Sequence, residues 1–117
     1  MTNEKISKHF TRSEIACKCG CGFDSMDAET LKIADEVRDF AGHAITPSSG
    51  ARCLIHNRNI GSSDKSQHVK ARAMDLPLKN PKPAYDMLCA KYPDRYGFGL
   101  YKTFIHVDTA TGPARRW

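Results

Sequence analysis

Ser66-Gln67-His68-Val69-Lys70-Ala71-Arg72-Ala73-Met74-Asp75 is the stretch on which the reading of this chain turns, and His106-Val107-Asp108 answers it further along. Its second half alternates. Ala71, Ala73 and Asp75 fall on one side and Arg72, Met74 and Leu76 on the other, the period of a strand over Ala71 to Leu78. His106 and Asp108 stand at i,i+2 within Phe104 to Thr109, so a strand there points both to the same side. His68 and Asp75 lack the i,i+4 spacing that puts two ligands on one helix face, and fit a loop ligand followed by a strand ligand. If the two strands are neighbours, Asp75 and His106 converge and His68 closes the set. Two imidazoles and a carboxylate suit zinc, and three protein ligands leave one coordination position open, as a metallo-hydrolase requires. The same residues allow a plainer reading, with His68 solvated in a polar loop and Asp75 capping a turn.

Working outward, Asp27 to Ala41 reads as the best helix. Ile33, Val37 and Phe40, with Thr30, Ala34 and Ala41 beside them, form its apolar face; Asp27 caps it and Gly42 stops it. Thr11 and Glu14 have capping-box spacing for a helical turn over Phe10 to Ile15. Ala44-Ile45-Thr46 reads as a short strand before the Pro47 to Gly50 turn. Cys53 to Asn59 reads as a helix, and Gly61 to Ser66 as a polar loop. The prolines of Asn80-Pro81-Lys82-Pro83 suit the first turn of a helix reaching about Tyr92. Arg95 to Leu100 and Phe104 to Thr109 are then strands joined through Tyr101-Lys102-Thr103. Helices come first and strands last, which predicts an α+β domain with a small, mostly antiparallel sheet and flanking helices.

The chain's 117 residues make one domain, with Met1 to His9 as a loose leader and residues 10–117 as the folded unit. At 40% hydrophobic and 26% charged it is too apolar for disorder. The net charge of +5 favours anionic partners, but no basic run or aromatic-interleaved basic motif points to nucleic acid. The N-terminus lacks the apolar core of a signal peptide, and no apolar run approaches the roughly 20 residues of a membrane span. The expectation is a monomer made in the cytosol, without membrane insertion, that leaves only when something else releases it.

Ser66-Gln67-His68-Val69-Lys70-Ala71-Arg72-Ala73-Met74-Asp75 resembles the Ser-x-His-x-x-Gly-x-Ala-x-Asp motif of the zinc D-Ala-D-Ala carboxypeptidase family, which includes endolysin-type peptidases. Other segments resemble the small single-domain branch of that family, in order: Phe10-x-x-x-Glu14 with Cys17-Lys18-Cys19-Gly20-Cys21-Gly22, Ser49-Gly50-Ala51-Arg52 with His56-Asn57, and Phe104-Ile105-His106-Val107-Asp108. The resemblance implies the hedgehog/D-Ala-D-Ala-peptidase-like fold. It implies Zn2+ on His68, Asp75 and His106, with Arg52 holding a substrate carboxylate and Ser66 beside it. The implied activity is hydrolysis of peptidoglycan stem peptides, in a phage-type lysis enzyme acting at the cell wall or periplasm after release. The basic charge would help it meet an anionic wall. A zinc-bound module on the same fold that binds wall or protein without cleaving is the alternative.

Two positions depart from the pattern. Ala71 replaces the motif's glycine, a mild change unless the site needs positive φ. Thr103 stands three residues before His106, where several relatives carry the acid that serves as general base. Asp108 is the nearest acidic candidate, as base or as a partner orienting His106, with Asp64 and Asp94 behind it. His56 could act near the site, but a helix-surface histidine is the plainer reading; His9 and His43 read as surface. Cys17, Cys19 and Cys21 could bind a second zinc with Cys53 or Cys89. Their C-x-C-x-C spacing fits the usual C-x₂₋₄-C poorly, and buried free thiols are the preferred reading. No cysteine carries a sign of nucleophilic activation.

Overall fold

The computed structural model describes residues 4–117. Its helices are α1 (Arg12–Ile15), α2 (Ala28–Ala41), α3 (Leu54–Asn59) and α4 (Pro81–Lys91). The strands are β1 (Ala73–Pro77), β2 (Gly97–Leu100), β3 (Phe104–Asp108) and β4 (Arg115–Arg116). The sheet order is β1-β3-β2-β4, antiparallel except for the parallel β2–β4 pair. This is the expected α+β domain with a mostly antiparallel sheet. Among the described residues no helix is long and apolar enough to cross a membrane.

The strand period separates core from site. Met74 and Leu76 of β1, Phe98 of β2, and Ile105 and Val107 of β3 are fully buried in one apolar cluster with residues of α2 and α4. Burial of each such side chain contributes about 1.5–3 kcal/mol. The alternate residues make two rows across the opposite face, because register pairs Asp75 with His106 and His106 with Gly99, and pairs Ala73 with Asp108 and Asp108 with Gly97.

Local signals in the chain explain the helix ends. The Glu14 carboxylate accepts from the Thr11 backbone N–H and hydroxyl. Asp27 accepts from the Thr30 N–H, and Gly42 closes α2 with φ 76° while donating to the Arg38 carbonyl. The buried face of α2 is Thr30, Leu31, Ile33, Ala34 and Val37. Phe40, expected in that face, is 50% exposed and lines a surface cleft with Leu78 and Ala84. Pro81 opens α4 as expected.

Two segments differ from the sequence reading. Ala44-Ile45-Thr46 is not a strand: Ile45 is buried, but the edge of β1 is met later, where the Ser48 N–H donates to the Asp75 carbonyl and the Asp75 N–H to the Ser49 carbonyl in an isolated bridge. The expected loose leader makes defined contacts from Glu4 onward, whose carbonyl and carboxylate accept from Arg12, while Met1 to Asn3 lie outside the described residues. Lys5 bridges Thr11, Ile6 packs against the core, and the Ser7 hydroxyl and His9 N–H donate to Asp35 on α2.

Gly50 shows how tightly the segment before α3 is held. A Cβ there would lie 2.6 Å from the Ile15 carbonyl oxygen and 2.8 Å from its Cα. Only glycine lets this segment pass against the end of α1, where the Ala51 N–H donates to that same carbonyl.

Candidate functional site

Asp75 and His106 face each other across β1 and β3, and His68 reaches them from the turn before β1. The His68 Nδ1 lies 2.8 Å from the Gly50 carbonyl oxygen. A carbonyl only accepts, so Nδ1 carries the proton and Nε2 presents a lone pair. The His106 Nε2 lies 2.8 Å from Oδ2 of Asp108 and its Nδ1 faces Asp75; in the neutral tautomer whose Nε2 donates to Asp108, Nδ1 is bare. The bare nitrogens stand 3.3 Å (His68) and 3.0 Å (His106) from one oxygen, Oδ1 of Asp75. In that tautomer three lone-pair atoms converge in a nearly buried site. Only a proton or a cation resolves that repulsion.

The donor chemistry fits zinc: two neutral imidazole nitrogens and a carboxylate oxygen, mutually within 4.8 Å. Each imidazole is also oriented by an acceptor on its far nitrogen, as ligating histidines are. The electrostatics lean the same way. Burial opposes ionisation of Asp75, yet the bonds to His106 and His68 outweigh it and hold the carboxyl well below the usual range. Burial likewise opposes a charge on His106, and Asp108 and Asp75 together overcome it and raise its pKa. The site attracts positive charge.

Asp108 stands behind His106. It is 1% exposed, and the imidazole ring separates its carboxylate from the ligand nitrogen. Its other oxygen accepts from the Ala110 N–H and from Arg115. Burial raises its pKa, but His106 and Arg115 outweigh that and keep it lowered. Of the two roles open to Asp108, this geometry favours the orienting one over the general base. Thr103 is exposed in the β2–β3 turn, and its carbonyl accepts from the Leu78 N–H. Asp64 is taken up by a two-point pair with Arg58, and Asp94 is exposed in the turn after α4.

Arg52 is buried close to the His68, Asp75 and His106 group. It donates to Asn57 Oδ1 at 2.9 Å and Ser49 Oγ at 2.8 Å, while its Nε has no partner. Ser66 has two roles: its hydroxyl accepts from the His68 N–H, and it lines the groove over the site. His56 lies on α3, half-buried.

That groove, of about 320 Å³, is also lined by Gln67, Lys65, His106, Asp108, Arg115 and Trp117. Arg115 and Trp117 escaped the sequence reading, which took the C-terminal arginines only as charge. They arrive because β4 adds a parallel strand to β2, with the Trp117 N–H donating to the Phe98 carbonyl. The indole centroid lies 5.1 Å from that of His106. One signal could have found them. Gly97 and Gly99 alternate on the site face of a strand, and such glycines mark close approach of another group. A Cβ on Gly99 would lie 2.5 Å from the Trp117 ring, and one on Gly97 would lie 2.5 Å from Asp108 and 2.6 Å from Arg115.

Ala71 adopts φ 57°, so the turn between His68 and Asp75 does need the left-handed conformation that the motif's glycine would supply. The cysteines also depart from expectation: of Cys17, Cys19 and Cys21 only Cys17 is buried, and Cys53 joins them.

Against known proteins, the profile of the family described as Peptidase M15 matches residues 8–108. No curated protein matches the chain.

Proposed function

The chain belongs to the peptidase M15 family, a family of metallopeptidases, and from that premise we propose that it is a zinc-dependent peptidase hydrolysing peptidoglycan stem peptides. The observation that carries this reading is the convergence of His68 Nε2, Asp75 Oδ1 and His106 Nδ1, each far nitrogen already bonded. Zinc held by these three residues would supply Lewis acidity, to bring the pKa of water toward ~7 and polarise a peptide carbonyl. The protein's own groups do the rest. Gly50 and Asp108 fix the two imidazoles. By its resemblance Arg52 would hold a substrate carboxylate, although here its guanidinium is buried against Asn57 and Ser49 and does not line the groove. Arg115, with a side chain 41% exposed, is the cation that meets a substrate carboxylate in the groove, and Ser66 lines the same wall. Trp117 offers an apolar side to the peptide.

The bond cut is of the D-Ala-D-Ala carboxypeptidase or the L-Ala-D-Glu endopeptidase type, in a phage-type wall-lysis role. One observation favours a second reading, a zinc-bound module that binds the wall without cleaving. Thr103 cannot take a proton at neutral pH, and both oxygens of Asp108 are engaged. The test is to incubate the purified protein with peptidoglycan, with and without chelator, then measure freed amines and the masses of the muropeptides. Zinc-dependent release supports the peptidase, and the mass lost names the bond. Binding without release from the zinc-loaded protein overturns it in favour of the module.

A further inference from the structure

A second group of potential ligands lies away from the groove. We propose that Cys17, Cys19, Cys21 and Cys53 form a structural zinc site. Their four sulphurs lie within 4.8 Å of one another, although Cys53 is far along the chain from the other three. The Cys17–Cys19 and Cys19–Cys53 separations are 3.4 and 3.6 Å. These are too long for disulfides, whose S–S bond is about 2.05 Å. They match a tetrahedral ion, since zinc–sulphur bonds of about 2.3 Å set the sulphurs roughly 3.8 Å apart.

The loop is shaped for this. Extended, residues at i and i+4 would be about 13 Å apart. The Gly20 N–H instead donates to the Cys17 carbonyl, and Gly20 and Gly22 take φ of 81° and 92°, curling the chain so that the thiols meet. Backbone N–H groups also point at sulphur: that of Cys53 at Cys17, and that of His56 at Cys53, each at 3.4 Å. Such donors favour the thiolate over the thiol. On binding, each thiol releases its proton to solvent and donates a lone pair to zinc, and nothing is oxidised.

The placement gives the site a purpose. Cys53 follows Arg52, whose N–H donates to the His68 carbonyl, and Gly50 just before holds the His68 ring. A metal tying Cys53 to the Cys17–Cys21 loop pins this segment from its other end. This assignment does not rest on the peptidase reading.

The test uses the full chain under reducing conditions. Elemental analysis should give two zinc ions per chain, falling to one in Cys19→Ser with Cys21→Ser, and falling independently to one in His68→Ala. Refilling the unsubstituted protein with cobalt(II) should produce intense near-ultraviolet thiolate-to-cobalt charge transfer. That absorption should persist in His68→Ala and vanish in the double cysteine variant. One zinc per chain without the charge-transfer band overturns the assignment, as does a mass loss of two hydrogens per cysteine pair showing disulfides. Because the cobalt readout needs only the unsubstituted chain, misfolding of a variant leaves the test intact. Charge transfer with no peptidase activity would count against the peptidase alone.

Discussion

Replacing Asp108 by Asn separates the two roles open to this carboxylate. Asp108 is 1% exposed and lies 2.8 Å from the far nitrogen of His106, so the isosteric change keeps shape and a hydrogen-bond acceptor while removing the charge. If Asp108 orients His106 and raises its basicity, the loss falls on the metal. Removing such a partner costs about 10- to 100-fold in affinity, or about 1.4–2.7 kcal/mol. Arg115 loses its anionic partner at the same time, so the larger half of that range is expected. The assay is competition for zinc against a chromophoric chelator, followed by turnover on muropeptides at saturating zinc. The expected result is weaker zinc binding with most turnover restored once zinc saturates. A general base, by contrast, contributes about 10²–10⁴-fold to rate and little to metal affinity. Unchanged affinity with turnover lost by that factor at saturating zinc would refute the orienting role and make Asp108 the base.

Gly97→Ala should reach the same centre indirectly. Its Cβ would meet Asp108 at 2.5 Å and Arg115 at 2.6 Å, so the carboxylate must shift, and zinc affinity should fall about 10-fold by the same titration. An affinity within twofold of the parent would show that the pair yields freely. Ala71→Gly should stabilise the protein by up to about 1.6 kcal/mol in a urea melt. It relieves about 1–2 kcal/mol of left-handed strain at φ 57°, offset by about 0.4–1 kcal/mol of added freedom in the unfolded chain. A clear loss of stability would mean that the conformation carries no strain. Zinc binding should depend on pH through His106, whose pKa is raised because Asp108 and Asp75 outweigh its burial. Metal needs the unprotonated Nδ1, so affinity is full above the raised pKa and declines as pH falls through it, starting above the ordinary value of about 6.5. Affinity that stays flat as pH is lowered from 8 to 5.5 would contradict this.

How much of the site could be read from the chain depended on which forces act locally. A strand's period of two suffices to put Asp75, His106 and Asp108 on one face and Met74, Leu76, Ile105 and Val107 on the other. The capping box at Thr11 and the Asp27–Gly42 pair mark helix ends because their hydrogen bonds close within a turn. By contrast, i,i+2 spacing puts Asp108 beside His106 without saying which nitrogen it meets, and that nitrogen decides between base and support. A two-residue strand such as β4 has no period to detect, and its arginines read as solvent charge until β2 gives them a neighbour. The cysteine loop is a similar case, since C-x-C-x-C gathers only when glycines curl it and Cys53 arrives from elsewhere.

The glycines of β2 connect these cases. Next to Asp108 in register stands Gly97, and next to His106 stands Gly99. A side chain at either position would occupy the space where Arg115 meets Asp108 or where Trp117 lies beside His106. A strand interior is a poor place for glycine, which forgoes packing and costs entropy there. Two on one face are therefore the mark of something laid against that face. The same rows that position the proposed ligands thus leave room for the C-terminal strand to build one wall of the groove, so a change at Trp117 should alter which peptides are accepted before it alters how tightly zinc is held.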